Sequence, residues 1–290
     1  MNPAQFAYSR PERIEDALAE LRESQGNGKI LAGGHSLLPI MKLRLAEPER
    51  LIDISRIASL QGIERESDRV QVGALTTHAQ VATNRILLES APLLSETALQ
   101  VGDRQVRNRG TIGGALAHAD AASDYPAAIL ALDAEMIAQS CEGERSISSS
   151  EFFIDFLTTA LAPDEILTRI LVPVPAAEHG WSYQKLANHA SGYAIVGVAA
   201  IVELEADGSA HLRVGVTGMA AVPWRARNVE LALEGIALTE SRIREAAASV
   251  DDGIEPLDDL HGSAEYRRRV TRGLTARAIS TALQRAQSGR

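Results

Sequence analysis

The sequence predicts an α+β fold in two parts, with strands and helices segregated along the chain rather than alternating as in a wound parallel sheet. Three observations carry this. The first part mixes short apolar runs with glycine loops and one clear amphipathic helix. Pro173-Val174-Pro175-Ala176-Ala177 then reads as a linker, placing a domain boundary between residues 176 and 177. Beyond it, β-like runs give way to helices, and 290 residues suit two domains.

The elements follow in order. Ser9 and Glu12 have capping-box spacing, and Ile14, Ala17, Leu18 and Leu21 recur at i, i+3, i+4, i+7, which predicts a helix ended by Gly26-Asn27-Gly28. Strands are expected at 29–32, 51–54 and 69–72. Thr77 caps a helix running toward residue 88, and Pro92 restarts another to about residue 99. Asp124-Tyr125-Pro126 opens an Ala/Leu-rich helix. Strands at 135–138 and 165–172 flank the Phe152-Phe153 segment. In the second part, 181–186 and 193–205 read as strands, and Asp207-Gly208 as a hairpin turn into 210–219. Helices at about 226–233, 239–250 and 263–287 close the chain. The last carries Tyr266, Val270, Leu274 and Ala278 four apart, with Arg267, Arg268, Arg272 and Arg285 among them. Those arginines read as a solvated face, or alternatively as a contact for an acidic partner.

Composition narrows the function. Apolar residues at 45% and charged residues at 23% describe a well-cored globular protein and exclude disordered, collagen-like and coiled-coil classes. A net charge of −9 repels phosphate backbones and anionic lipid, so nucleic-acid and membrane-surface binding are disfavoured. The single Cys141 excludes a disulfide framework, a Cys-ligated zinc site and any Fe–S cluster held by this chain alone. The longest apolar run, 193–202, is about half a membrane span. No secretory signal is expected at the N-terminus, and a cytoplasmic protein is the reading.

Two double-glycine loops are the strongest chemical feature. Ala32-Gly33-Gly34-His35-Ser36 leaves a strand, and Thr111-Ile112-Gly113-Gly114-Ala115 follows the basic stretch 104–109. Adjacent glycines let backbone N–H groups converge on an anion because no Cβ blocks the approach, and Ser36 and Thr111 add hydroxyls. Two such loops could hold the two phosphates of a dinucleotide; the alternative is a pair of ordinary tight turns. The familiar nucleotide and hydrolase motifs fail on spacing. There is no G-x-G-x-x-G, P-loop, G-x-S-x-G or H-E-x-x-H. The histidines are scattered, and His118 with Asp120 lacks a third metal ligand. Asp120 and Asp124, four apart, would share a helix face or complement the dipole of the following helix.

Three motifs carry a resemblance. Residues 32–39 (AGGHSLLP), 107–114 (RNRGTIGG) and 120–126 (DAASDYP), in that order, resemble the FAD-binding medium subunit of molybdenum hydroxylases of the carbon monoxide dehydrogenase and xanthine dehydrogenase type. The resemblance covers essentially the whole chain. It implies a two-lobed FAD-binding domain of the vanillyl-alcohol-oxidase (PCMH) type over 1–176, with lobes of about 1–55 and 56–176. A C-terminal domain over 177–290, a three-stranded antiparallel sheet plus a helical bundle, would follow. Carried over by position, Ala32, Gly33, Gly34, His35, Ser36 and Leu37 would bind the pyrophosphate, with Thr111, Gly113 and Gly114 on its other side. Val101 would border the adenine or ribityl region, and Asp124 would meet the ribityl or ring end. Leu167 would contact the cofactor through its backbone. Lys185 would approach the isoalloxazine and Tyr193 cover one face of it. No catalytic residue and no metal ligand are expected in this chain.

Such a subunit takes electrons from two [2Fe–2S] clusters on a small partner and passes them from FAD to a terminal acceptor. A large molybdopterin subunit hydroxylates the substrate (an N-heteroaromatic, carbon monoxide or an aldehyde) in an (αβγ)2 heterohexamer. Ala115 stands where many members have Asn, and His189 where an Arg is frequent. A self-contained FAD-dependent oxidoreductase with its own small substrate is the second reading, and an assembly protein without cofactor the third.

Overall fold

In the computed structural model, which describes residues 2–175 and 179–288, the chain opens on a small parallel sheet. Strands β1 (Ala7–Ser9), β2 (Gly28–Leu31) and β3 (Arg50–Asp53) pair in the order β1-β3-β2, with helices α1 (Ile14–Glu23) and α2 (Leu37–Lys42) in the connections. Helix α1 buries Ile14, Ala17, Leu18 and Leu21, the four residues its periodicity selects, in a core shared with Ile52 and Ile54. Its start differs from expectation. Ser9 lies in β1, paired with Ile52, and its hydroxyl donates to Glu20; Arg13 is the N-cap and makes no side-chain cap. The strand holds Ser9 away from the helix start.

The second lobe is built on an antiparallel sheet. After a single 3-10 turn come β4 (Ile63–Glu66) and β5 (Arg69–Gly73), then helices α3 (His78–Thr83), α4 (Arg85–Ser90), α5 (Pro92–Leu99), α6 (Arg104–Arg109), α7 (Ile112–His118) and α8 (Tyr125–Ala131). Strands β6 (Glu135–Ser140) and β7 (Gly143–Ser148), the short α9 (Ser149–Phe152), β8 (Phe153–Asp155), β9 (Thr158–Thr159) and β10 (Ile166–Pro173) follow. The sheet order is β4-β5-β10-β6-β7, and Val70, Val72, Met136, Ile170 and Val172 pack in one core with Leu93, Leu94 and Ile129. The single helix expected from Thr77 to residue 88 is two. Thr77 and Gln80 form a capping box for α3, and Asn84 ends it and caps α4, its Oδ1 accepting from the Ile86 N–H at 2.9 Å.

The expected boundary between 176 and 177 lies outside the described residues. Beyond them, β11 (His179–Ala187), β12 (Ala194–Leu204), β13 (Ala210–Thr217) and β14 (Trp224–Arg225) form an antiparallel sheet in sequence order. The three long strands match the expected sheet; β14 adds a two-residue fourth strand at its edge. Helices α10 (Arg227–Leu233), α11 (Glu240–Ala247) and α12 (Ala264–Ser288) complete the domain. Helix α12 lies so close on β11 that a Cβ on Gly180 would strike the Ala282 carbonyl.

The arginines of helix α12 are divided: Arg272 and Arg285 are exposed as expected, whereas Arg267 is not. Arg267 is 3% exposed and donates to the Ile195 and Gly218 carbonyls at 2.7 and 2.8 Å. Arg268 and Arg272 converge on the buried Asp251. Of the four residues spaced by four, Leu274 and Ala278 are buried, whereas Tyr266 faces solvent. Polar Arg267, Thr271 and Thr275 share the buried stripe with Leu274, Ala278, Ile279, Ala282 and Ala286, so apolarity alone misplaces its N-terminal half.

The two domains are joined along residues 121–127. Thr217 Oγ1 donates to the Ala121 and Ser123 carbonyls, both at 2.9 Å, and the Gly218 N–H donates to Ala121 at 2.7 Å. Gly215 is pressed against the Ala127 carbonyl, which leaves no room for a side chain.

Candidate cofactor-binding site

The first glycine loop turns from β2 into α2, and it is rich in unused donors. Among the described residues, the N–H groups of Gly33, Gly34, His35, Ser36 and Leu37 have no intramolecular acceptor; the next, on Leu38, donates to the Gly34 carbonyl at 3.1 Å. Gly34 has φ +76°, a left-handed conformation that favours glycine. His35 is exposed, and Ala32, Ser36 and Leu37 are half-buried, so the donors line an open surface.

The second loop lies directly against the first. A Cβ on Gly33 would collide with the Arg109 carbonyl and stand 2.8 Å from Gly110 Cα. Across the contact, Gly114 faces Ala32, with 3.7 Å between the latter's Cβ and the place a Gly114 Cβ would take. The two loops are therefore one wall.

They are unlike chemically. The second loop has already folded into the first turn of α7. Its Ile112 and Gly113 N–H groups donate to the Thr76 and Ala74 carbonyls at 3.0 and 2.9 Å. The Gly114 N–H donates to Thr111 Oγ1 at 3.1 Å and the Ala115 N–H to the Thr111 carbonyl at 3.0 Å. Thr111 spends an oxygen lone pair as N-cap and keeps its own hydroxyl proton to donate. Gly113 is buried and packed so closely on Ala74 that a Cβ there would strike it. The second loop thus offers shape and a hydroxyl, and the first offers N–H groups.

Behind the wall, His78 is buried, with its Nδ1 3.1 Å from Tyr125 Oη and its Nε2 against Gly110. Burial lowers its pKa to about 4, and the nearby His35 and Arg107 act in the same direction. The imidazole is neutral at physiological pH.

The remaining expected positions fall in two places. Asp124 and Lys185, from different domains, meet: Nζ lies 2.8 Å from Oδ1 and 3.0 Å from Oδ2. Tyr183 Oη donates to the same Oδ1 at 2.6 Å. Burial pushes the Asp124 carboxyl above its ordinary value, opposed by Lys185 and Tyr183. Asp124 therefore does not cap α8, and it shares no helix face with Asp120, which sits in the preceding turn with its Oδ1 accepting from the Ala122 N–H at 2.9 Å.

Tyr193 is 41% exposed. Burial of its hydroxyl and the neighbouring Asp120 raise the phenol's pKa, and the Ser36 side chain acts the other way. Val101 is half-buried on the loop after α5, and its carbonyl accepts from Arg107 at 2.9 Å. Leu167 is the outlier. Its side chain is buried in the core of the second lobe, beside a β-bulge, and its link to the site runs through Thr168, whose carbonyl accepts from Ala74. Neither His118 nor Asp120 belongs to a metal-binding cluster among the described residues.

Sequence reasoning missed Gln100 and Gly192, which act through carbonyl oxygens that no side-chain pattern signals. Tyr183 was findable: two residues from Lys185 on one strand, it must share its face.

A donor-lined glycine wall in a two-lobed domain, docked through Asp124 onto a second domain that carries Lys185, fits a binder of a large anionic cofactor without a Rossmann glycine motif. Residues 4–175 match the family described as FAD binding domain in molybdopterin dehydrogenase, and residues 181–282 match the CO dehydrogenase flavoprotein C-terminal domain. The chain belongs to this family of FAD-binding medium subunits of molybdenum hydroxylases. It is 36% identical over 288 residues to the 6-hydroxypseudooxynicotine dehydrogenase complex subunit alpha of Paenarthrobacter nicotinovorans, covering 99% of this chain and 97% of that one. A chain of the carbon monoxide dehydrogenase structure from Hydrogenophaga pseudoflava superposes with TM-score 0.95 at 38% identity, covering 98% of this chain and 99% of that one. One from quinoline 2-oxidoreductase of Pseudomonas putida 86 gives 0.92 at 31%, covering 100% and 99%.

Proposed function

We propose that the chain is the FAD-binding medium subunit of a heterotrimeric molybdenum hydroxylase, dimerised as (αβγ)2. In this role it takes electrons from the [2Fe–2S] clusters of a small subunit while a large molybdopterin subunit hydroxylates a small molecule. The observation that carries the reading is the row of N–H groups from Gly33 to Leu37 without acceptors, on a wall where neither Gly33 nor Gly114 has a side chain. A pyrophosphate satisfies such a row, and glycines allow it to approach the backbone. The bound flavin supplies the redox chemistry, accepting electrons from one partner and releasing them to another.

The chain's own residues hold it. Ala32, Gly33, Gly34, His35, Ser36 and Leu37 bind the pyrophosphate, and Thr111 adds a hydroxyl while Gly113 and Gly114 shape the facing wall. Val101 and Leu167 border the cofactor from the second lobe, and Asp124, Lys185 and Tyr193 stand at the ring end, dividing the chain functionally into 1–176 and 177–290. No helix among the described residues is long and apolar enough to cross a membrane, and the complex is proposed to work in the cytoplasm.

The test is the absorbance spectrum and subunit composition of the untagged protein purified from its native host. Flavin bands overlaid with [2Fe–2S] absorption, and two further polypeptides, are expected. A lone 31.0 kDa flavoprotein reduced by its own substrate identifies a self-contained oxidoreductase instead. A colourless protein overturns both.

A further inference from the structure

Four chain segments meet at the Lys185 ammonium. It projects from β11 and donates to Asp124 ahead of α8, to the Gln100 carbonyl after α5 at 2.9 Å, and to the Gly192 carbonyl between β11 and β12 at 2.6 Å. Each of its three protons has an acceptor. The Lys185 and Asp124 side chains are 3% and 4% exposed. A buried pair of this kind contributes little net stability compared with apolar residues of the same volume; what it adds is geometric definition.

The geometry it defines is that of the turn ending at Tyr193. Gly192 has φ +73° and packs on Gly102 across the domain boundary. The turn closes on itself, the Gly192 N–H donating to the Asn188 carbonyl and the Asn188 N–H to the Tyr193 carbonyl, both at 2.8 Å. On its far side, the Ala194 N–H is anchored to the Ala122 carbonyl at 3.0 Å. Lys185 thus fixes the residue immediately before Tyr193, whose following residue is tied to Ala122 ahead of Asp124.

We propose that Lys185 is a positioning residue: by joining Asp124 to the Gly192 carbonyl it seats the 188–193 turn and holds Tyr193 at the cofactor cleft, where the ring restricts entry of outside electron acceptors. The inference rests on the flavin role proposed above.

Two experiments test it. The D124N/K185M variant removes both charges together, so no unpaired ion remains buried to unfold the protein. Hydrogen exchange on the purified complex and on its flavin-free form is expected to show the Gly192 and Tyr193 amides exchanging at least about tenfold faster, with β11 and α8 unchanged. Unchanged protection of the turn overturns the proposal, and this readout needs no flavin. In the second experiment, flavin reduced with dithionite is reoxidised with ferricyanide. Y193A and D124N/K185M are each expected to accelerate reoxidation by a similar factor, and the triple variant by no more than either. Multiplying effects would mean that Lys185 acts independently of Tyr193 and overturn the proposal. Failure to find flavin would refute the proposed function while leaving the exchange result to decide the positioning role.

Discussion

Gly33 sits so tightly against the Arg109 carbonyl that a single added methyl group has nowhere to go. The two glycine loops form one wall only because this position lacks a Cβ. Gly33→Ala is therefore expected to part the loops and raise the Kd for FAD by at least roughly a hundredfold, about 3 kcal/mol. Gly34→Val, at φ +76°, is expected to abolish binding. Fluorescence titration of the flavin-free protein measures both, and stoichiometric flavin in either variant contradicts the wall.

Glu96 on α5 anchors the second domain at three points. Its carboxylate accepts from the Tyr183 N–H at 2.8 Å, Trp181 Nε1 at 3.1 Å and Arg285 at 2.6 Å, while Arg285 also lies 5.3 Å over the Trp181 ring. Glu96→Ala strands the Tyr183 N–H and Trp181 Nε1 in the interface. A loss of about 2 kcal/mol is expected, read as a lower urea midpoint with unchanged slope. A midpoint equal to that of the parent would show that the interface needs none of these bonds.

Asp251 is fully buried, and burial works against its charge. The hydrogen bonds from Arg272 and Arg268 outweigh burial and hold its carboxyl below the ordinary value of 3.8. A carboxyl depressed in the folded state contributes stability above its unfolded pKa, and that stability is lost as the pH falls through the folded one. Asp251→Asn is expected to lower the urea midpoint at pH 7 by the equivalent of about 2 kcal/mol and to flatten the acid limb below about pH 4. An acid limb as steep as the parent's would assign that loss to other carboxylates.

Much of this architecture was legible in the residues, and the parts that were not share a cause. Helix α1 announced its buried face because Ile14, Ala17, Leu18 and Leu21 are all apolar. Helix α12 hid its face because three polar residues, Arg267, Thr271 and Thr275, lie on it, the first two buried through hydrogen bonds to backbone carbonyls that no pattern reveals. Strand β7 is exposed on nearly every residue, so it shows no alternation. Helix α7 begins at Ile112 through two helix-disfavouring glycines, where Thr111 capping and the Ala74 contact override propensity. In the site, both loops were visible as glycine pairs, but which of them keeps free donors depends on Thr76 and Ala74, more than thirty residues upstream. The meeting of Asp124 with Lys185 is set by how two domains dock, which is a tertiary fact.

His78 supplies the last prediction. Its buried imidazole, held against Gly110 and Tyr125, has its pKa lowered from 6.5 to about 4 chiefly by burial. Between those values the unfolded chain takes up a proton that the folded one refuses, so stability falls as the pH drops from 6.5 toward 4. The full effect is about 3 kcal/mol. His78→Gln, which keeps a polar partner for Tyr125, is expected to start less stable at pH 7.5 and to lose much less on acidification to pH 4.5. Urea midpoints at the two pH values measure this directly. Because the ring backs Gly110, FAD affinity is expected to weaken over the same interval in the parent and to stay flat in the variant. An equal acid loss in both proteins would place the titrating group elsewhere.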